Sequence, residues 1–195
     1  YTVVGYQQIQ GDQYAALYSE ILTVELENDF FPFLYPNQYV NFSPDSEASK
    51  LALSMVSEDT TDVDALKQIY NYVVNNLTYD YDKAETVETG YLPDVDETLS
   101  TKTGICFDYA ALTTAMLRSC DIPCKLQIGY TGDIKHAWID VYIRSKGWVT
   151  GAVSFNGDSW SLMDPTFDSS ADSDDTEAIQ DYIGNADNYT VQFTR

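Results

Sequence analysis

Apolar spacing divides the chain into recognisable segments. In residues 11–28, Tyr14, Leu17, Tyr18, Ile21 and Leu22 recur at helical intervals, which predicts a helix near the N-terminus. Residues 29–45 hold Pro32, Pro36 and Pro44 among aromatics and read as a wrapped loop. A short helix is expected over Ser46–Met55. A longer one follows, capped by Asp62, with a core-packing stripe of Val63, Leu66, Ile69, Tyr70, Val73, Val74 and Leu77. Residues 78–103 are acidic and turn-rich, a surface loop. Helical spacing returns from Cys106 to about Arg118, with Phe107, Ala110, Ala111, Thr114 and Leu117 inward, and Asp121-Ile122-Pro123 stops it. The period then switches to two. Lys125–Tyr130, Ala137–Ile143, Trp148–Phe155 and Trp160–Met163 read as strands, with turns at Ser145-Lys146-Gly147 and Asn156-Gly157-Asp158. After Asp168 come an acidic stretch, a short helix and a last strand, Tyr189–Phe193. The pattern predicts an α+β fold, with a helical and aromatic extension over residues 1–45 and the main domain over 46–195.

Composition narrows the function classes. At 195 residues with 44% hydrophobic and 14% aromatic residues, the chain is large enough for one core and is not disordered. No apolar run approaches the roughly 18 residues of a membrane span. Thirty-one acidic residues against 10 Lys and Arg leave a net charge of −21, which disfavours nucleic acid and anionic lipid as partners. The first residue is Tyr1, so an export signal is expected to have preceded it, with an extracellular or cell-surface location.

The one histidine, His136, excludes sites built on two or more imidazoles, including HExxH metalloproteases. The Cys and His spacing fits no familiar zinc pattern, and the acidic tail lacks the glycine and final Glu of an EF-hand loop. No metal and no cofactor is expected. Of the three cysteines, Cys120 and Cys124 are near enough to pair across Ile122-Pro123, which leaves Cys106 as the odd thiol.

A thiol nucleophile must be ionised. At an ordinary pKa near 8.5 it is only about 3% thiolate at pH 7. Lowering the pKa by about 2.5 units makes it about 90% thiolate and needs about 3.4 kcal/mol of differential stabilisation. A helix N-terminus and a neighbouring imidazolium are the usual sources. Cys106 follows Gly104-Ile105 at a predicted helix start, His136 opens a predicted strand, and Asp164 in Met163-Asp164-Pro165-Thr166 ends another. Their order is compatible with a Cys-His-Asp triad. By spacing alone each has a plainer reading: a small buried thiol, a structural histidine before Trp138, and a turn aspartate.

The segments Gly104-Ile105-Cys106-Phe107-Asp108-Tyr109-Ala110 and Asp121-Ile122-Pro123-Cys124-Lys125, with Gly129-Tyr130 closing the next strand, resemble the core of the transglutaminase-like superfamily. His136-Ala137-Trp138-Ile139-Asp140-Val141 resembles its H-A-W-V-E-V strand. Gly147-Trp148 with Leu162-Met163-Asp164-Pro165-Thr166 resembles its G-W and D-P-T block. The upstream Lys67–Tyr79 segment is similar to the helix that precedes the family's active-site loop, so the likeness covers roughly residues 47–168. It implies a papain-like core, with the nucleophile at the N-terminus of a helix packed on an antiparallel sheet that carries the His and Asp. It also implies Cys106 as nucleophile, His136 as general base and acid, Asp164 as orienter, and the Cys106 N–H as one oxyanion donor. Trp138 is expected beside the site. Three departures stand out: Cys120-Asp121 where a small residue and Gly are usual, Asp140 for Glu, and an extra hairpin between Trp148 and Asp164.

The implied reaction is thiolate attack on a glutamine carboxamide or peptide carbonyl. A lysine amine then completes a crosslink, or water completes hydrolysis. The acidic surface favours a lysine-rich protein or peptide partner. A cysteine peptidase or amidase acting on protein or cell-wall peptide is the alternative enzyme. A non-catalytic interaction domain that keeps the fold, using the Phe30–Tyr35 aromatic run, is the alternative of another class.

Overall fold

The computed structural model describes residues 1–149, 153–155, 160–162 and 189–195. Its elements are β1 (Thr2–Gln10), β2 (Gln13–Ile21), a 3-10 turn (Phe31–Phe33), α1 (Glu47–Met55), α2 (Asp62–Asn76), β3 (Thr78–Tyr79), α3 (Tyr81–Thr86), α4 (Val95–Thr101), β4 (Thr103–Gly104), α5 (Cys106–Ser119), β5 (Cys124–Thr131), β6 (Ile134–Ile143), β7 (Gly147–Val149), β8 (Val153–Phe155), β9 (Trp160–Leu162) and β10 (Tyr189–Thr194). The chain divides into two units, Tyr1–Phe31 and Pro32–Arg195, so residues 32–45 fall in the second.

The first unit corrects the helix expected over residues 11–28. It is an antiparallel hairpin in which Gln10 pairs with Gln13 and Thr2 with Ile21. The Gly11-Asp12 turn makes it possible, because Gly11 takes a φ of +52°, open to glycine at little cost. The helical spacing was a coincidence of register. Gly5 pairs with Tyr18 but Tyr6 with Ala16, so Leu17 is the extra residue of a bulge. The bulge shifts parity and places apolar residues three apart within a strand.

The second unit is built around α5. From Asp108 to Arg118 every residue of this helix is buried. The run Tyr-Ala-Ala-Leu-Thr-Thr-Ala-Met-Leu is apolar or small all round, which suits a helix covered on every side. Helices α1, α2 and α4 pack against it, and so do strands β5 and β6. The sheet order is β10-β5-β6-β7, antiparallel throughout. Cys124, Leu126, Ala137, Ile139, Val141 and Ile143 join Leu66, Ile69, Val73, Leu112 and Met116 in one core. The fold is α+β, as the periodicity predicts.

Helix α5 ends in a Schellman turn. Ile122 N donates to Leu117 O at 3.1 Å and Asp121 N to Arg118 O at 3.0 Å. Asp121 takes a φ of +59°, the left-handed conformation that this motif requires. That is the position where the resembled pattern has Gly, and Asp is among the few other residues that tolerate it. Above the turn, the buried Arg118 guanidinium donates to Cys124 O (3.0 and 2.8 Å), Tyr35 O (2.8 Å) and Arg195 O (3.0 Å). Desolvation holds its pKa below the usual guanidinium value.

Smaller differences from expectation have local causes. Thr61, not Asp62, caps α2 and accepts from Asp64 N, while the Asp62 carboxylate is taken by Arg144 of the β6–β7 turn. That guanidinium holds the Asp62 carboxyl below its usual pKa. The expected loop 78–103 contains α3 and α4, capped by Asp80 and Asp94. The expected strand Trp148–Phe155 contains β7 and β8, with residues 150–152 outside the described set, and β8 pairs with β9. The expected turn at Asn156-Gly157-Asp158 and the acidic tail and helix after Asp168 also lie outside the described residues.

Candidate active site

Two short strands deliver Cys106 to its position. β3 and β4 pair in parallel, with Thr78 opposite Thr103 and Tyr79 opposite Gly104. Thr78 N donates to Lys102 O and Asp80 N to Gly104 O, each at 2.9 Å. Ile105, in extended conformation, then caps α5, and Cys106 is the first helical residue, half-buried. Its position is at the positive end of the helix dipole, where an anion is favoured.

Asp108 closes this turn from below. Fully buried, its carboxylate accepts from Ile105 N at 2.8 Å, from Lys83 Nζ at 2.8 Å and from the Tyr91 hydroxyl at 2.5 Å. Lys83 Nζ also donates to the Tyr91 oxygen at 2.7 Å and lies 4.4 Å from the centre of that ring. Burial alone would lower the Lys83 pKa, but the hydrogen bonds and the Asp108 charge outweigh it and raise it. Tyr91 is pushed up to about 12, first by burial and then by its bond to Asp108, so it stays a donor. Gly104 is required here for space. A Cβ at that position would sit 2.6 Å from Asp108 Cβ, closer than real Cβ atoms approach. The first glycine of the G-x-C pattern is thus the floor against which the buried carboxylate folds back. Sequence reading assigned no role to Lys83 or Tyr91; an ammonium 25 positions before its carboxylate partner leaves no periodic trace.

His136 is the third residue of β6, 5% exposed, paired with Gly129 of β5. Its ring stacks near Trp138, with centroids 6.2 Å apart and planes at 19°, and Tyr189 lies 6.3 Å away. Alternation gives β6 two faces: Ala137, Ile139 and Val141 join the core with α5, while His136, Trp138 and Asp140 line the other.

Helix α5 runs into β5 through the tight turn at 120–123. Its 14 residues reach back about 21 Å from the turn. Gly129, the partner of His136, lies five residues beyond Cys124, about 17 Å along β5. Cys106 thus lies at the end of α5 remote from this turn, and His136 at the end of the β5–β6 pairing remote from it, on the sheet face opposite Ala137 and Ile139. Asp164 lies outside the described residues.

The other two thiols contrast with Cys106. Cys120 and Cys124 are free, not bridged. Burial pushes Cys120 up to about 11 and Cys124 up to about 12, and Cys124 Sγ donates to Thr114 Oγ1 at 3.5 Å. Among the described residues, no group of three or more His, Cys, Asp or Glu is arranged to hold a metal ion, and no helix is long and apolar enough to cross a membrane.

Comparison with known proteins adds a family. The model of the transglutaminase-like superfamily matches residues 49–151, a span that holds Cys106 and His136 and stops before Asp164. Over 62 residues the chain is 40% identical to UPF0252 protein MJ1282 of Methanocaldococcus jannaschii, covering 29% of this chain and 18% of that protein. Over 154 residues it is 26% identical to YebA of Bacillus subtilis, covering 67% of this chain and 21% of YebA. The chain spans about a fifth of the length of these relatives. Among solved structures, the fold is similar to that of a candidate cysteine protease from Cytophaga hutchinsonii, with a TM-score of 0.56 at 20% identity over 88% of this chain and 48% of the other. It is also similar to the periplasmic domain of TgpA from Pseudomonas aeruginosa, with a TM-score of 0.50 at 18% identity over 74% of this chain and 49% of the other.

Proposed function

Because the chain belongs to the transglutaminase-like superfamily, we propose that it catalyses thiol-dependent acyl transfer, with Cys106 as nucleophile, His136 as general base and acid, and Asp164 as the carboxylate that orients the imidazole. The observation that carries the reading is the place of Cys106 at the start of α5. Burial pushes Cys120 and Cys124 up to about 11 and about 12, which keeps them protonated at neutral pH. Cys106, half-buried, stands on the first turn of a helix, where backbone amides favour an anion.

The chemistry then follows in two halves. His136 takes the thiol proton, and Sγ attacks the carbonyl carbon of a glutamine carboxamide. The tetrahedral oxyanion is held by the Cys106 N–H at the helix start. Its collapse breaks the C–N bond, the imidazolium gives its proton to the departing nitrogen, and ammonia leaves behind a thioester. A lysine amine attacks that thioester, loses a proton to His136, and expels the thiolate as the amide forms. The net charge of −21 supports a lysine-rich protein or peptide as the amine donor. A location outside the cytoplasm belongs to the same proposal, in keeping with the periplasmic TgpA domain.

The test is product analysis with a glutamine-containing peptide, with and without excess primary amine. Ammonia release and an amine-dependent amide product are expected, and both should fall at least about a thousandfold in Cys106→Ala. Cleavage of a peptide bond regardless of added amine would overturn acyl transfer in favour of a peptidase. No Cys106-dependent product of either kind would overturn the enzyme reading and leave an interaction domain.

A further inference from the structure

The triad leaves unexplained why a fully buried carboxylate stands two residues after the proposed nucleophile. A negative charge on the first turn of α5 opposes a second one on Sγ and cancels much of what the helix dipole offers. The net charge of −21 pushes the same way. Nearby carboxylates on the packed elements are occupied as caps: Asp80 on Lys83 N, Asp94 on Asp96 N and Glu97 N, Asp96 on Ala48 N. Glu97 is exposed. Against these, Lys83 is the cation that touches Asp108, at 2.8 Å.

We propose that Lys83 is a positioning residue for the nucleophile: it neutralises Asp108, so that this carboxylate can cap α5 without opposing the Cys106 thiolate. The inference rests on the reading of Cys106 given above. The geometry supports it in three ways. The ammonium is brought in by α3, from outside the helix it serves, so it adds charge without lengthening α5. Among the described residues Asp108 receives three donors, of which Lys83 alone carries a charge. Tyr91 bridges cation and carboxylate, accepting from Lys83 and donating to Asp108, which fixes the pair in one arrangement.

Charge compensation and plain architecture differ in how two substitutions combine. Cys106 lies alone with respect to other thiols between Lys102 and Arg118, so its alkylation by iodoacetamide at pH 7 can be followed on one tryptic peptide. Lys83→Met should slow that reaction about threefold to tenfold, since thiolate fraction falls tenfold per pKa unit while intrinsic nucleophilicity recovers part. Asp108→Asn keeps a side-chain oxygen for Ile105 N and removes the charge, so it should react faster than the unmodified chain. The double variant should return to within about threefold of the unmodified chain, because both charges are gone. A double variant as slow as Lys83→Met, or slower, would overturn the proposal in favour of architecture. If Lys83→Met does not fold, Asp108→Asn decides alone: a rate at or below the unmodified chain overturns the proposal. Failure of the underlying reading looks different. In that case Cys106 of the unmodified chain reacts no faster than a free cysteine, whatever the ratios among variants.

Discussion

The two ends of α5 solve similar problems by opposite means. In the resembled family pattern both carry a glycine, one before the nucleophile and one before Ile-Pro. Here the first is kept as Gly104 and the second is replaced by Asp121. Gly104 has no left-handed backbone; what it supplies is space, since any Cβ would press on Asp108. Asp121 sits at φ +59°, where the demand is on the backbone alone. A glycine needed for close approach has no substitute, whereas one needed for a left-handed φ can give way to Asp at modest cost. The polar groups divide in the same way. At the Cys106 end a buried carboxylate is matched by a cation, and at the Cys120 end the buried Arg118 is matched, among the described residues, by carbonyl oxygens.

Three substitutions sharpen or break this contrast. The largest effect is expected for Gly104→Ala, which should destabilise the fold by about 3 kcal/mol through overpacking and loss of the Ile105 N to Asp108 bond. Urea unfolding would check it, and an unchanged midpoint would show that Asp108 has room to move. Arg118→Met should cost about 2 kcal/mol, because its carbonyl partners lose a charged donor while the penalty for burying an unpaired cation is relieved. A calorimetric Tm unmoved by that change would mean that the C-terminal end needs no clamp. Asp121→Gly should be the smallest and of opposite sign. It should stabilise by about 0.5 kcal/mol, as relief of left-handed strain slightly exceeds the added chain entropy. Destabilisation instead would show that the Asp121 side chain contributes more than its backbone costs.

Where one element buries a continuous face, its pattern was plain in the sequence. α1, α2, α5, β5 and β6 were all expected near their observed bounds, since each spends its apolar residues on the core. The hairpin of residues 2–21 was misread for the converse reason. Nearly all of its residues are exposed, so no burial constraint disciplines the spacing, and a bulge at Leu17 imitated a helical interval. The Gly11-Asp12 pair was the available signal. Helices α3 and α4 are too short to show a period, and only the capping aspartates announce them. The helix start at Cys106 was legible because it coincides with the Gly104-Ile105-Cys106 motif. The Lys83–Tyr91–Asp108 cluster was not, because its members meet only after β3 and β4 draw together distant stretches of chain.

That pairing has an evolutionary corollary. The stretch between Tyr79 and Gly104 has its two ends stitched by four residues, and partway along it α4 returns to the core through Val95. Closing a longer excursion costs only about 0.6 kcal/mol per doubling of its length. A longer excursion ahead of α4 can therefore be accommodated while β3 and β4 still set Cys106 at the start of α5. What such an insertion must keep is the reach of Lys83 to Asp108.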